Sequence, residues 1–392
     1  MLFFTLLLSA MLCGDVFAWL IGDRALRRTR NPRRWRIGWG ALLGLLSLGV
    51  TLLLAARLLG LKIKVMPEIA VMAVFIWHFI VLPITLAAFV PWEIIREAIR
   101  RLRKPSPEMP SVPFNRTRRD FLTRIAVVTP PVALAALTGQ AAMTEDDLIL
   151  TRRTLAVANL PPQLEGLTIA HVSDPHLGSF ITDRKVQKII NMTNELDADL
   201  VMQTGDLINA GLDDLVDGIA MVQQFRSRYG VYCCQGNHDV IANRDTFEAD
   251  TVRAGINMML DENRVIEVRG QRMRLVAPRW TGYDDKLVAW SVNRLVPAPI
   301  DDLFTILTVH HPHGFDTAAA LNIPLTLSGH THGGQIALTR NIGVGPLIYR
   351  YWSGEYRKQN SSCYVSNGIG NWFPLRINVP CEIVHLTLTR AK

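Results

Sequence analysis

The pattern of apolar and polar positions divides this chain in two. Up to residue 142 it is dominated by long apolar runs. From about residue 145 the apolar runs shorten to four to six residues and end in polar clusters. Runs 2–22, 38–60 and 69–95 are each long enough to cross about 30 Å of hydrocarbon at about 1.5 Å per residue, and predict three transmembrane helices in a membrane region 1–124. The first of them also fits an uncleaved signal. A fourth apolar segment, 125–142, carries Pro130 and Pro131, which membrane helices tolerate. Asp15 sits inside the first run, where an acid is either functional or reaches interfacial water near a helix end.

The short runs predict strands. LTIAHV leads into Asp174-Pro175-His176, DLVMQT into Gly205-Asp206, and GVYCCQ into Gly236-Asn237-His238-Asp239. FTILTV leads into His310-His311-Pro312, and PLTLS into Gly329-His330-Thr331-His332. Between the first strands, 183–197 and 213–228 show apolar spacing near 3.6 and predict helices. The expected arrangement is an α/β domain over 145–392 with five consecutive strand ends that carry Asp, Asn or His. Layered α/β folds bind ligands outside the carboxyl ends of their strands. The glycines at 205, 236 and 329 are expected to allow tight turns that aim the next side chain inward.

Charge adds orientation. Residues 1–124 hold nineteen Lys and Arg against seven Asp and Glu, a net of +12. The rest holds twenty-three against twenty-seven, a net of −4. The overall +8 is therefore no nucleic-acid signature, and no nucleic-acid partner is expected. Seven arginines fall in 23–36, and the loop 96–124 is also basic, whereas the turn near 61–68 has only Lys62 and Lys64. The positive-inside rule places the two Arg-rich loops in the cytoplasm. Thr117-Arg118-Arg119-Asp120-Phe121-Leu122-Thr123 is either a twin-arginine export motif or a plain basic flank to the fourth helix. Both readings put the C-terminal domain on the outer side of the membrane. The five cysteines, at 13, 233, 234, 363 and 381, fit neither a zinc ribbon nor a disulfide framework and are read as packing residues.

A single histidine at a strand end is usually a satisfied structural residue. Five strand ends bearing Asp, Asn or His point to metal. Carboxylate, amide and imidazole donors without thiolate suit Mn, Fe or Zn. His171, inside a strand, is read as a packing or hydrogen-bonding residue and His313 as outside the ligand set. Trp280, Tyr283, Asp284 and Asp285 are candidates to shape a substrate mouth.

Asp-x-His, Gly-Asp, Gly-Asn-His-Asp, His and Gly-His-Thr-His, in this order, resemble the calcineurin-like metallophosphoesterases over roughly 165–390. The segments GHTHGGQI at 329–336, YVSNGIG at 364–370 and PLRI at 374–377 are similar to that family's membrane-associated bacterial branch. The resemblance implies a four-layer α-β-β-α sandwich. It also implies two metal ions, with Asp174, His176 and His332 on the first, Asn237, His310 and His330 on the second, and Asp206 bridging both. His238 would be catalytic, placed over the leaving oxygen, while a hydroxide bridging the ions attacks phosphorus. Asn367 stands where that branch often has arginine.

The expected function is hydrolysis of phosphodiesters or phosphomonoesters by a multi-pass protein of the bacterial inner membrane, in contact with membrane lipids and possessing a periplasmic catalytic domain. A lipid-linked phosphoester is a candidate substrate. The alternative is a membrane sensor or scaffold that binds metal without turnover.

Overall fold

The computed structural model describes residues 2–27, 29, 31–59, 66–102, 116–144, 147–178, 180–296, 302–339 and 342–391. Arg28, Arg30, Lys62, Lys64, Arg103 and Lys104 of the basic loops lie outside the described residues. The chain forms two compact units, Met1–Met143 and Thr144–Lys392.

The first unit is helical. It comprises α1 (Leu2–Leu26), α2 (Pro32–Leu58), α3 (Glu68–Ile76), α4 (Leu82–Leu102) and α5 (Arg116–Thr144), with a π-helical turn, Trp77–Val81, joining α3 to α4. Among the described residues, four stretches are long and apolar enough to cross a membrane: Thr5–Leu26, Pro32–Ala56, Glu68–Pro91 and Val127–Thr144. Pro91 in α4 and Pro130 and Pro131 in α5 sit inside helices without ending them. Arg118 and Arg119 lie in the first turns of α5.

Asp15 does not reach water, against one of the two expectations for it. It is 4% exposed and accepts hydrogen bonds from Ser47 Oγ at 2.6 Å and Trp77 Nε1 at 2.7 Å. His78 Nε2 lies 3.1 Å from Asp15 Oδ2, the oxygen that Ser47 also contacts. The wider π turn lets the consecutive residues 77 and 78 both reach the same carboxylate. Polar contacts of this kind join helices where apolar side chains give no preference over lipid.

The second unit contains strands β1 (Leu148–Val157), β2 (Thr168–Val172), β3 (Leu200–Thr204), β4 (Val231–Cys234), β5 (Met258–Met259), β6 (Glu262–Val268), β7 (Gln271–Ala277), β8 (Phe304–Thr308), β9 (Leu325–Ser328), β10 (Ala337–Thr339), β11 (Ile342–Gly343), β12 (Gly354–Lys358), β13 (Ser361–Val365) and β14 (Cys381–Arg390). Its helices are α6 (Asp183–Asn194), α7 (Leu215–Gln223), α8 (Arg244–Arg253), α9 (Asp285–Asn293), α10 (Gly314–Ala320) and α11 (Val344–Ile348). One six-stranded sheet runs β1-β14-β2-β3-β4-β5 and the other β12-β13-β9-β8-β7-β6. Strands β2 to β5 are mutually parallel, as are β7, β8, β9 and β13.

The inner faces of the two sheets share one core, in which Ile169, Leu200 and Leu386 meet Leu275, Ile306 and Leu325. Ile189 of α6, Met221 of α7 and Phe247 of α8 cover the outer face of the first sheet. Val292 of α9 and Phe315 of α10 cover that of the second. The result is the α-β-β-α sandwich. Its parallel strands are buried on both faces, which is why they read as unbroken apolar runs. Cys233, Cys234, Cys363 and Cys381 are buried and unpaired in this packing.

One sequence expectation needs correction. The five ligand-bearing strand ends are not consecutive, because β5, β6 and β7 intervene between β4 and β8. In β6 partly buried and exposed positions alternate, so no apolar run marks it. It turns into β7 through Arg269 and Gly270, both at positive φ, as in a tight hairpin. The ligand-bearing ends are therefore shared: β2, β3 and β4 belong to one sheet, β8 and β9 to the other.

Candidate metal centre

The turns after β2, β3, β4, β8 and β9 bring the eight singled-out residues together. On one side, His176 Nε2 lies 3.0 Å from His332 Nε2, and His332 Nε2 lies 3.3 Å from Asp174 Oδ1. On the other, His330 Nδ1 lies 2.8 Å from Asn237 Oδ1 and 3.2 Å from His310 Nε2, which is itself 3.1 Å from Asn237 Oδ1. Asp206 stands between the two groups. Its Oδ2 is 3.1 Å from His310 Nε2 and 3.5 Å from His176 Nε2, and its Oδ1 accepts the backbone N–H of His238 at 2.8 Å.

These contacts test whether the residues suit a cation. Ring nitrogens face ring nitrogens and amide and carboxylate oxygens in a buried space. One proton cannot satisfy so many converging lone pairs, whereas a cation can. Asp174, His176 and His332 bring one ligand atom each within 4.8 Å of one another, close enough to share an ion, and so do Asp206, His310 and His330. His176, Asp206 and His238 form a third such group, so His238 is also within ligand range. The fit is good.

The backbone is strained at the same residues. Asp174, His176, Asp206, His330 and His332 all have positive φ, between 48° and 71°. Each such residue costs on the order of 1–3 kcal/mol, and this kind of strain gathers at functional sites. The expected role of the glycines also changes. Gly205 does turn at φ +93°, but Gly329 is required by close approach: a Cβ there would lie 1.9 Å from Ser173 Oγ and 2.1 Å from Asp174 Oδ2.

Electrostatics follow from burial and facing charge. Burial opposes ionisation of Asp206, yet the rings of His310, His238 and His176 hold its carboxyl well below the usual range. Burial likewise opposes the charge on Asp174, and His332 and His310 outweigh it, lowering that carboxyl too. Burial dominates at His176 and His330 and keeps both rings neutral. Burial also works against a charged His310, but Asp206 overrides it and raises that ring to about 9. His310 Nδ1 donates to the Thr204 carbonyl at 2.8 Å, which aims Nε2 at Asn237 and Asp206.

Several supporting residues were not legible as such in the sequence. Arg376 is 2% exposed; its Nη2 lies 2.9 Å from His332 Nδ1 and donates to the carbonyls of Asn367 and Gly370. The segment PLRI contains Arg376, but its role depends on loops brought together from distant positions. Thr204 Oγ1 donates to Ser173 Oγ at 2.7 Å, and Ser173 Oγ donates to Asp174. His171 Nε2 meets Thr204 Oγ1 at 2.8 Å, so this strand histidine ends a hydrogen-bonded chain leading to Asp174. Asp239 accepts the N–H groups of Gly236 and Ile208, and burial with the charge of Asp206 pushes it up to about 7.

The candidate mouth divides. Trp280 stacks on His330 at 6.0 Å between centroids, and Tyr283 packs 5.6 Å from the same ring. Tyr349, not singled out beforehand, joins them at 5.8 Å. Asp284 instead caps α9 by accepting from Lys286 and Leu287 N–H, and Asp285 pairs with His313 at 3.0 Å.

Comparison with known proteins adds the following. Residues 167–334 match the model of the calcineurin-like phosphoesterase domain. An uncharacterised metallophosphoesterase of Bacillus subtilis is 30% identical over 295 residues, covering 69% of this chain and 97% of that protein. A transmembrane protein with metallophosphoesterase domain from Danio rerio is 28% identical over 256 residues, covering 60% of this chain and 56% of that protein. The chain thus spans little more than half the length of the latter relative. Among solved structures, a dimetal phosphatase from Danio rerio matches at 9% identity and a TM-score of 0.33, covering 52% of this chain and 88% of that one, a likeness too slight to argue from.

Proposed function

The chain belongs to the metallophosphoesterase family, and from that premise we propose that it is a membrane-anchored, two-metal phosphodiesterase acting on a phosphoester at the outer face of a bacterial inner membrane. The observation that carries this reading is Asp206, whose carboxylate stands between two nests of converging donors.

Asp174, His176 and His332 would hold the first ion, and Asn237, His310 and His330 the second, with Asp206 touching both. Oxygen and nitrogen donors without thiolate suit Mn, Fe or Zn. When bound, such a pair supplies Lewis-acid neutralisation of phosphoryl charge and makes water a nucleophile near neutral pH. The protein's own groups do the rest. Strained turns and the contacts of Arg376, Ser173 and Thr204 fix the donors in place. His238 Nδ1 donates to the Asn209 carbonyl, leaving Nε2 as the atom that carries a proton to the leaving oxygen. The rings of Trp280, Tyr283 and Tyr349 pack around His330 on the second nest. The apolar helices favour a lipid-linked substrate.

A panel of a soluble diester, a soluble monoester and a vesicle-embedded lipid phosphate tests this with the purified chain and added Mn. Hydrolysis of the diester ahead of the monoester is expected, along with cleavage of the lipid phosphate. Metal binding without hydrolysis of any of the three would leave the sensor reading instead.

Orientation is tested separately. Alkaline phosphatase fused after residue 142 should be active, and fractionation should find the catalytic unit outside the inner membrane. An inactive phosphatase fusion and a cytoplasm-facing catalytic unit would reverse the assignment. Fractionation accompanies the fusion because a twin-arginine route also exports folded reporters.

A further inference from the structure

The chemistry above leaves one stretch of the second unit unused. Between the His332 turn and Tyr349 lie the β10–β11 hairpin and α11. Four large apolar side chains here face water: Leu338 is 75% exposed, Ile342 58%, Leu347 86% and Ile348 64%. Single exposed apolar residues need no explanation, but four within eleven positions mark an interaction surface.

The root of this excursion is firmly held. Ala337 N donates to the Ile377 carbonyl at 3.0 Å, Val344 N to the Ile336 carbonyl at 2.9 Å, and Asn378 Nδ2 to the Ala337 carbonyl at 2.9 Å. The neighbouring Arg376 carbonyl accepts from Thr144 Oγ1 at 3.1 Å. Thr144 is the last residue of α5, a helix whose final eighteen residues are apolar and long enough to cross a membrane. The exposed apolar excursion is therefore rooted beside Thr144, the residue with which the second unit begins. Its far end is Tyr349, the ring packed on His330.

We infer that Leu338, Ile342, Leu347 and Ile348 insert into the surface of the bilayer that holds the apolar helices, seating the histidine cluster at the lipid headgroups. The inference rests on the membrane-anchored reading above. Apolar faces at such interfaces enter the headgroup and acyl boundary by about 5–10 Å. The root is tied to Thr144, the residue that ends the apolar segment in sequence, and Tyr349 fixes the tip beside the site. Insertion would thus select phosphoesters presented by a membrane over those free in solution.

The test uses the full chain in vesicles of phosphatidylethanolamine and phosphatidylglycerol. Cys13→Ser removes the exposed thiol, and Leu347→Cys or Val216→Cys then carries an environment-sensitive fluorophore. Val216 lies on α7 and is 73% exposed, so it serves as the water-facing reference. The label at 347 should emit to the blue of that at 216 and be quenched several-fold more by lipids bearing a nitroxide on the acyl chain. Equal, water-like emission at both positions in a chain that floats with the vesicles overturns the inference and leaves the anchor intact. A blue-shifted 347 label that nitroxide lipids do not quench also overturns it, and indicates contact with a second copy of the chain. A chain that fails to float removes the anchor and this inference together.

Discussion

Asp206→Asn is expected to abolish phosphodiester hydrolysis and to reduce the bound metal from two ions per chain to one or none. The replacement keeps the shape of the side chain and removes one acceptor. If the asparagine oxygen stays on the His238 N–H, where Asp206 Oδ1 now accepts at 2.8 Å, its NH2 points at His310 Nε2 and His176 Nε2. A donor then stands where the shared ligand should be. If the amide turns over, the NH2 faces the His238 N–H, donor against donor. Either orientation breaks one half of the arrangement. Loss of an outer partner of a metal ligand costs roughly 10–100-fold, so loss of the shared ligand itself should cost at least about 100-fold. His310 should respond as well, since the Asp206 charge is what raises it to about 9; without that charge, burial should bring it back down. Metal analysis and hydrolysis measured on the same sample, with an unchanged melting temperature as the control for folding, check this result.

His238→Asn should behave differently. The two ions should remain, and the loss should depend on the leaving group. General acid catalysis contributes typically about 10²–10⁴-fold, and it matters most when the departing oxygen is basic. An alkyl diester should therefore slow by about 10²-fold or more, whereas a p-nitrophenyl diester, whose leaving group needs little help, should slow by roughly 10-fold or less. His238 stands within ligand range of His176 and Asp206, so the alternative is a ligand role. Equal losses on both substrates together with a missing ion would establish that alternative and remove the acid from the account.

Much of the site was legible because two signals coincide at each turn. An apolar run buried on both faces stops, and an Asp, Asn or His follows it within a few residues. That pattern marked Asp174, Asp206, Asn237, His310 and His330 without knowledge of the sheet order. Strand β6 escaped because its positions alternate and it faces the core through only part of its length. Strand β5, of two residues, is too short to show a pattern, and the apolar run of β7 is interrupted by Arg272 and Arg274. Arg376 escaped for another reason: its contacts join residues 332, 367 and 370, and no local periodicity signals a buried guanidinium. Asp15 shows the limit within the helices. An almost wholly apolar helix has no polar face, so its sequence does not reveal that Ser47, Trp77 and His78 all converge on one acid.

The positive φ values at Asp174, His176, Asp206, His330 and His332 were equally invisible. They are informative because five of the thirteen described non-glycine residues with positive φ fall at this one site. Their concentration at one site ties the strain of the turns to the grip on the ligands.

Asp206 is expected to join two ion sites into one catalytic unit. The most direct measurement titrates Mn into the chelator-treated full-length chain in detergent while following both bound metal and hydrolysis of bis-p-nitrophenyl phosphate. Binding should saturate at two ions per chain, with activity appearing as the second ion binds. Full activity at one ion, or saturation with two ions and no hydrolysis, would contradict it.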